Sequence, residues 1–266
     1  MIIMKSLIII KLGGSIITDK KSEIPKVDYA NLEKFSAEIA KGYNPKEMRL
    51  ILVHGAGSYG HSIAKRTGLH LGIVKDEQLV DFAEVQRLQN ELNCIATQHL
   101  IKHGLPAIPC QASSFIILNA GRIVKGDITA IENLVNIGMI PVLYGVPAYD
   151  EKQKCAVLSG DQIAPYLAKK LNAEKIIHIT NVNGIYDKDP NKFNDAKHIT
   201  EINSQNFEEV KKALTGSLDT DVSGGMLTKV SELMNIGVKS QIISGLISEN
   251  IVNAMKGNNV GTIITG

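Results

Sequence analysis

The chain has 266 residues, of which 44% are hydrophobic and 21% charged, a composition typical of compact soluble proteins that excludes disordered and fibrous classes. The formal net charge of +2, from 29 Lys and Arg against 27 Asp and Glu, offers no extended basic surface, so nucleic acid is not expected as a partner. The longest apolar run near the start covers only residues 7–10, too short for a signal peptide or a membrane span, so we expect a cytoplasmic protein without a membrane partner.

Apolar runs bounded by Gly, Pro and polar clusters alternate with stretches of helical periodicity along the whole chain. The predicted strands are 7–11, 49–53, 107–109, 140–144, 175–180, 240–244 and 262–265. The predicted helices are 29–41, 75–103, 130–137, 161–171, 204–213, 223–236 and 248–255. Several strands are continuous Ile, Val and Leu runs, which predicts an α/β fold with a mainly parallel open sheet in a three-layer α/β/α sandwich.

No linker or repeat divides the chain, so we predict a single domain over residues 1–266. A charged loop at 149–154 precedes the turn SGDQ, and this seam would separate an amino-terminal lobe, 1–158, from a carboxyl-terminal lobe, 159–266. Cys94, Cys110 and Cys155 are odd in number, far apart and never in a CxxC spacing, which predicts free thiols rather than disulfides or a zinc site.

The first glycine motif, KLGGS at 11–15, directly follows the predicted strand 7–11. Parallel sheets bind ligands at the carboxyl ends of their strands, where adjacent glycines let backbone N–H groups approach phosphate oxygens. Lys11 would add the compact positive charge that phosphoryl transfer needs. By itself the motif is a weak signal, because a glycine pair after a strand is more often a plain tight turn.

The second motif, HGAGSYGH at 54–61, joins the strand 49–53 to a helix-compatible stretch. Gly55, Gly57 and Gly60 satisfy the GxGxxG pattern of dinucleotide-binding folds, in which a helix N-terminus holds a pyrophosphate. Those folds also need a ribose-binding acid about twenty residues later, where this chain has the helix-like KDEQLVDFAEV instead. A dinucleotide-dependent oxidoreductase is therefore disfavoured.

The third motif, TDVSGGMLTK at 220–229, leads into a helix with Lys229 one turn inside it, able to reach a phosphate at the start of that helix. Its glycines could otherwise form a hinge or a close helix contact. A Walker A motif is absent, which disfavours a P-loop nucleotidase. Between the glycine motifs, Asp161 of SGDQ is either an N-cap residue or a carboxylate that holds the lysines in place. The polar loop TNVNGIYDKDP, 180–190, suits contacts to adenosine or ribose.

In this order KLGGS, HGAGS, SGDQ, TNVNGIYDKDP and GGM followed by a lysine resemble the amino acid kinase superfamily over nearly the whole chain. Lys20, which closes SIITDK, and His61, which closes HGAGSYGH, are similar to the isopentenyl phosphate kinase family in particular. The resemblance implies transfer of the γ-phosphoryl group of ATP, with Mg²⁺, to isopentenyl phosphate. The product would be isopentenyl diphosphate for isoprenoid biosynthesis in the mevalonate pathway. The resemblance also implies a homodimer whose amino-terminal lobe binds the acceptor and whose carboxyl-terminal lobe binds ATP.

The resemblance implies a role for each matching position. The catalytic set is Lys11, Lys20, His61 and Asp161, in which the lysines stabilise the transition state, His61 binds the acceptor phosphate and Asp161 organises the lysines. The ATP-binding set is Lys11, Gly13, Gly14, Ser15, Gly57, Asn181, Gly225 and Lys229. The acceptor-binding set is Ala56, Gly57, His61 and Gly160, with Phe82 and Gln86 of the helix 75–103 facing an apolar pocket for the isopentenyl tail. No metal ligands are assigned.

The chain departs from the family pattern at Asn181 and Asn183, where acids are typical, at Val146, where Asp usually follows the glycine, and at Ala56, where a third glycine is common. Asparagine keeps the hydrogen-bonding geometry and loses the charge. A related kinase for another small phosphate or phosphonate, such as fosfomycin, therefore stays open. A non-catalytic nucleotide sensor on the same fold also stays open, although a sensor need not keep Lys11, Lys20, Asp161 and Lys229 together.

Overall fold

The structure is a computed structural model that describes residues 5–19, 22, 24–190, 192–216 and 222–266, with residues 61, 62, 216 and 222–224 described by their backbone alone. The strands are β1 (Ser6–Leu12), β2 (Met48–His54), β3 (Ala107–Pro109), β4 (Ile116–Asn119), β5 (Arg122–Gly126), β6 (Ile140–Tyr144), β7 (Val146–Asp150), β8 (Lys154–Leu158), β9 (Lys175–Thr180), β10 (Ile185–Tyr186), β11 (His198–Ile199), β12 (Glu201–Ile202), β13 (Lys239–Ser244) and β14 (Thr262–Ile264). The helices are α1 (Gly14–Ile17), α2 (Tyr29–Gly42), α3 (His61–Thr67), α4 (Gln78–Lys102), α5 (Thr129–Asn136), α6 (Gly160–Lys170), α7 (Phe207–Gly216), α8 (Val222–Met234) and α9 (Asn250–Met255).

The main sheet has eight strands within the described residues, in the order β12-β14-β13-β9-β1-β2-β6-β3. Its pairs are parallel except for β13 with β14. The central strand β1 has the continuous apolar sequence of a strand buried on both faces, and each of its residues from Leu7 to Leu12 is buried. The predicted mainly parallel α/β fold is therefore confirmed.

Alternate residues of the central strands enter two separate cores. Leu7 and Ile9 of β1 face the core that contains α5, α6, α7 and α8, whereas Ile8 and Ile10 face the core that contains α2, α4 and α9. Helices thus cover both faces of the sheet, as a three-layer α/β/α sandwich requires. Among the described residues, no helix combines the length and apolar character needed to cross a membrane.

The seven predicted strands and seven predicted helices all form, with ends that shift by no more than three residues. The sequence prediction missed a four-stranded sheet, in the order β5-β4-β7-β8, and the short strands β10 to β12. The charged segment 149–154, predicted as a loop, covers the end of β7, the connecting turn and the first residue of β8. The two strands form an antiparallel hairpin in which Asp150 pairs with Lys154. These strands are short, and β5 is largely exposed, so they lack the long apolar runs that revealed the main sheet. The predicted division into two lobes stays a prediction.

Candidate active site

The glycine motifs meet at the carboxyl edge of the main sheet because β1, β2 and β6 are neighbouring parallel strands. Backbone bonds join their ends: the Gly55 N–H donates to Leu12 O at 3.0 Å, and the Gly145 N–H donates to His54 O at 2.9 Å. Gly13 donates in the same way to Ile179 O, at the end of β9, at 2.9 Å. Gly13 is partly exposed, so its backbone is accessible to a ligand at this edge.

The loops after β1 and β2 pack so closely that side chains cannot fit between them. A Cβ on Gly14 would overlap the backbone nitrogen of Gly57, and a Cβ on Gly57 would overlap Thr18 Oγ1 and lie 2.7 Å from Gly14 O. Gly57 also has a φ of +52°, which disfavours any side chain. Thr18 stabilises the junction, since its hydroxyl donates to Gly14 O at 2.9 Å and accepts from the Ser58 N–H at 3.0 Å.

Two buried lysines share one carboxylate oxygen at this edge. Lys11 Nζ lies 2.8 Å from Asp161 Oδ1, and Lys229 Nζ lies 2.6 Å from the same atom. Lys11 has the parity of Leu7 and Ile9, so it points to the face covered by α6 and α8, the helices that carry Asp161 and Lys229. Ser159, not Asp161, is the N-cap of α6, so the alternative N-cap interpretation of Asp161 is wrong.

The charges of this cluster shift one another's pKa values. Burial alone would raise the pKa of Asp161, but the adjacent charges of Lys11 and Lys229 hold it well below its usual range. Burial and the charge of Lys11 lower the pKa of Lys229 to about 8, against the opposing effect of Asp161. At neutral pH Asp161 is therefore a carboxylate and Lys229 is mainly an ammonium group. The two lysines are buried, whereas Asp161 keeps 26% of its side-chain surface exposed.

Gly160, at the start of α6, lies against this cluster. A Cβ there would lie 3.4 Å from Lys11 Cε and 3.2 Å from His54 O. Gly145 is just as close to α6, because a Cβ on it would lie 2.9 Å from the backbone nitrogen of Gly160. Because Gly145 and Gly160 have no side chains, the end of β6 and the start of α6 can approach Lys11 and still leave the carboxyl edge of the sheet open.

The remaining predicted nucleotide contacts are exposed. Ser15 lies in α1 directly after the glycine pair, and Asn181 directly follows β9. Gly225 lies in α8, one turn before Lys229, where a Cβ would meet nothing within 4 Å. Asn183, a position at which the family typically has an acid, accepts hydrogen bonds at Oδ1 from Ser244 N at 3.2 Å and from an asparagine amide of α9. An aspartate oxygen would accept the same bonds, so this substitution changes charge rather than connectivity.

On the predicted acceptor side, Ala56 is partly exposed and precedes the 3₁₀ turn at Gly57–Tyr59. His61 is the first residue of α3, four residues after Gly57, and its backbone alone is described. Lys20, predicted to be catalytic, lies outside the described residues. The loop that the resemblance assigns to the acceptor thus packs directly on the loop it assigns to ATP.

The two α4 residues predicted to face the acceptor tail lie in different surroundings. Phe82 packs against a small apolar cluster that includes Val85 and Cys155, consistent with an apolar lining. Gln86 instead belongs to a polar network: its amide nitrogen donates to Ser113 Oγ at 3.0 Å and to a backbone carbonyl of β7, and its oxygen accepts from Gln111 at 2.8 Å. The polar atoms of Gln86 thus already have partners across α4 and the second sheet, and its contact with the acceptor stays a prediction.

The sequence prediction also missed His178 of β9, which lies beside the lysine cluster. Its Nδ1 is 3.6 Å from Asp161 Oδ1 and its side chain is completely buried. A histidine inside the otherwise apolar strand interior of KIIHIT is the signal that could have revealed it. His54, the other buried histidine nearby, is held differently, by Asn93 at 3.1 Å and by stacking on Tyr144.

The described residues contain no group of three or more His, Cys, Asp or Glu side chains placed to hold a metal ion. They do contain what a nucleotide phosphate chain needs, namely buried ammonium groups and side-chain-free backbone at a helix start. The site therefore fits a polyphosphate, and the part of it that the structure describes offers no metal cage.

Comparison with known proteins points in the same direction. The profile of the Amino acid kinase family matches residues 6–246. The isopentenyl phosphate kinase of Methanothermobacter thermautotrophicus is 40% identical over 98% of this chain and 99% of that protein. The isopentenyl phosphate kinase of Methanocaldococcus jannaschii is 33% identical over 97% and 98%. A solved structure of isopentenyl phosphate kinase superposes with a TM-score of 0.84 and 36% identity, covering 97% of this chain and 100% of that one.

Proposed function

Given that the chain belongs to the amino acid kinase family, we propose that it transfers the γ-phosphoryl group of ATP to isopentenyl phosphate and so forms isopentenyl diphosphate. The two relatives described above, which match it over 98% and 97% of its length at 40% and 33% identity, are named for this activity. The observation that carries the proposal is the pair of buried ammonium groups of Lys11 and Lys229 on one oxygen of Asp161, beside the two packed glycine loops.

This arrangement suits the joining of two polyanions. ATP and a monophosphate repel one another, so positive charges must offset the repulsion and the charge that develops on the transferred group. Lys11 and Lys229 supply those charges from two different elements, and Asp161 holds both ammonium groups at one place. No strong base is needed, because the acceptor phosphate is already an anion.

The glycine loops supply the second requirement, close approach. Phosphate oxygens can reach the backbone at Gly13 and Gly14 because no side chain stands in the way, and the loop 55–57 packs directly against them. Reactants bound on the two loops would thus be held next to one another, which lowers the entropic part of the barrier.

Roles for Lys20 and His61 rest on the resemblance alone. We propose that His61 binds the acceptor phosphate from the start of α3 and that Lys20 adds a third cation to the transferring group. The aromatic side chain of Phe82 would then limit the length of the tail, because it lies against the apolar cluster under α3 and α4.

Magnesium and assembly are further proposals. We propose that Mg²⁺ arrives on the phosphates of ATP, which would supply its oxygen ligands, since the described residues offer no cluster for it. The homodimer, the ATP and acceptor lobes, the cytoplasmic location and the place in the mevalonate pathway remain predictions. Size-exclusion chromatography with light scattering would measure the oligomeric state.

The test is turnover of a panel of acceptors with ATP and magnesium: isopentenyl phosphate, dimethylallyl phosphate, fosfomycin, N-acetylglutamate and glutamate. We expect fast turnover of the two prenyl phosphates. Lys11→Ala should reduce kcat by roughly 100-fold or more, the scale of losing one transition-state charge partner. His61→Ala should raise KM for the acceptor and leave the affinity for ATP near that of the unchanged protein.

His99→Ala is the matched control for His61→Ala, since His99 lies near the carboxyl end of α4. Its ring bonds to the backbone oxygen of Ile95 and lies against the ring of Tyr29. The turnover of His99→Ala should equal that of the unchanged protein. Preferred turnover of fosfomycin or an amino acid would keep the kinase and replace the acceptor. ATP binding without transfer to any acceptor would favour the sensor instead.

A further inference from the structure

His178 occupies a defined position beside the lysine cluster. It lies on β9 in register with Lys11 of the neighbouring parallel strand β1, and on its other side with Ile242 of β13. Residues in register on a parallel sheet point to the same face, so the imidazole and the Lys11 ammonium group both lie under α6 and α8. The ring is completely buried.

The buried ring of His178 makes no hydrogen bond within the part of the chain that the structure describes. Neither Nδ1 nor Nε2 of His178 makes a hydrogen bond to any residue the structure describes. Asp161 Oδ1 lies 3.6 Å from Nδ1, which is too far for a hydrogen bond. Buried polar groups without partners are rare because they lose their bonds to water and gain nothing in return.

The oxygen that His178 faces is already occupied. Asp161 Oδ1 accepts from both Lys11 and Lys229, at 2.8 and 2.6 Å. Each ammonium group has three N–H donors, so a lysine that engages phosphate oxygens can stay beside Asp161 but shares its charge and its donors with the phosphates. Asp161 is then held less firmly at the moment when its position matters.

From this geometry we propose that His178 is a positioning residue whose Nδ1–H donates to Asp161 when Lys11 and Lys229 share their donors with the phosphates of ATP. A closure of roughly 0.7 Å, from 3.6 Å to the usual N–H···O distance of about 2.9 Å, forms the bond. Burial, with the charge of Lys229, lowers the pKa of His178 well below its usual value, so the ring is neutral and brings a donor without a second repelling charge. This role rests on the proposed kinase function and extends it.

Three substitutions separate this role from simple packing. His178→Leu keeps the approximate volume and removes both nitrogens. His178→Asn places an amide nitrogen near the position of Nδ1, whereas His178→Gln places one near the position of Nε2. Each variant is measured for ATP affinity by calorimetry, for kcat with isopentenyl phosphate, and for its unfolding midpoint in urea.

We expect His178→Leu to bind ATP about tenfold more weakly and to turn over about tenfold more slowly, the scale of one hydrogen bond to a charged group. His178→Asn should stay within about threefold of the unchanged protein, and His178→Gln should resemble the leucine variant. Because none of the described residues bonds to the ring in the free enzyme, the unfolding midpoint of His178→Leu should equal or exceed that of the unchanged protein. His54→Leu, which removes a histidine bonded to Asn93, should lower the midpoint instead.

Normal ATP affinity in His178→Leu, or an asparagine variant as weak as the leucine variant, would overturn the proposal. A lower unfolding midpoint in His178→Leu would also count against it, since it would show a bond in the free enzyme. Failure of the kinase function itself is seen separately, as absence of turnover by the unchanged protein. In that case the calorimetric arm alone still decides the role of His178.

Discussion

Replacing Asp161 by Asn removes the charge that holds Lys11 and Lys229 together and leaves the shape of the site intact. At 2.6 and 2.8 Å, each attraction amounts to roughly 6 kcal/mol before desolvation is subtracted, at an effective dielectric constant of about 20. Most of this is offset by the cost of burying the charges, and removal of one partner of a buried pair typically costs about 3–5 kcal/mol of unfolding free energy.

The low end of that range, about 3 kcal/mol, applies here for two reasons. The Asp161 side chain keeps 26% of its surface exposed, so water screens part of the interaction. Lys229, with its pKa already lowered to about 8, can also lose its proton at neutral pH once the carboxylate is gone. Urea unfolding at pH 7, extrapolated to water with an unchanged m-value, measures the difference.

Glu249→Gln is the matched control for this experiment. Its partner Lys41 lies 2.8 Å away, the same distance as Lys11 from Asp161, but the two side chains are 59% and 46% exposed. Such a surface pair contributes at most about 1 kcal/mol. If Asp161→Asn loses no more stability than Glu249→Gln, the reasoning that burial makes the cluster strong is refuted.

Four further predictions follow from single side chains. Gly57→Ala should lose about 2 kcal/mol or more of unfolding free energy, because the new Cβ would overlap Thr18 at a φ of +52°; an unchanged melting temperature would show that the loops can separate. Gly225→Ala should gain about 0.5–1 kcal/mol of unfolding free energy, because the new Cβ meets nothing within 4 Å and alanine favours a helix interior. The variant should also bind ATP more weakly if this surface carries the nucleotide. Calorimetry measures the change in stability and the change in ATP affinity separately. The kcat/KM for ATP should fall as the pH rises above about 8, because Lys229 acts as a cation and is protonated only below its pKa. In Lys229→Arg that fall should move to higher pH, because arginine keeps its proton. An identical pH profile in the variant would exclude Lys229 as the source of the fall. Phe82→Ala should raise kcat/KM for longer prenyl phosphates relative to isopentenyl phosphate, and an unchanged ratio would place the tail elsewhere.

The elements that carry the site were predictable because their signals are local. The run LIII before KLGGS indicates a buried strand, because it is short, rich in β-branched residues and followed by a glycine pair that marks where the backbone is reachable. The parity of β1 even predicts that Lys11 shares a face with Leu7 and Ile9. The second sheet could not be predicted in this way, since its strands are short and partly exposed, and the charged hairpin turn resembles a loop.

The sequence by itself therefore determined the parallel sheet, the glycine loops at its carboxyl edge and the family to which they point. Only the tertiary structure decided which side chains meet. Sequence period tells which face of a strand a residue occupies, but the topology decides that α6 and α8 cover the face of Lys11, and so that Asp161 and Lys229 reach it. The same topology places His178, a polar residue in an otherwise apolar strand, beside the carboxylate of Asp161, because β9 pairs with β1 despite the long stretch of chain between them.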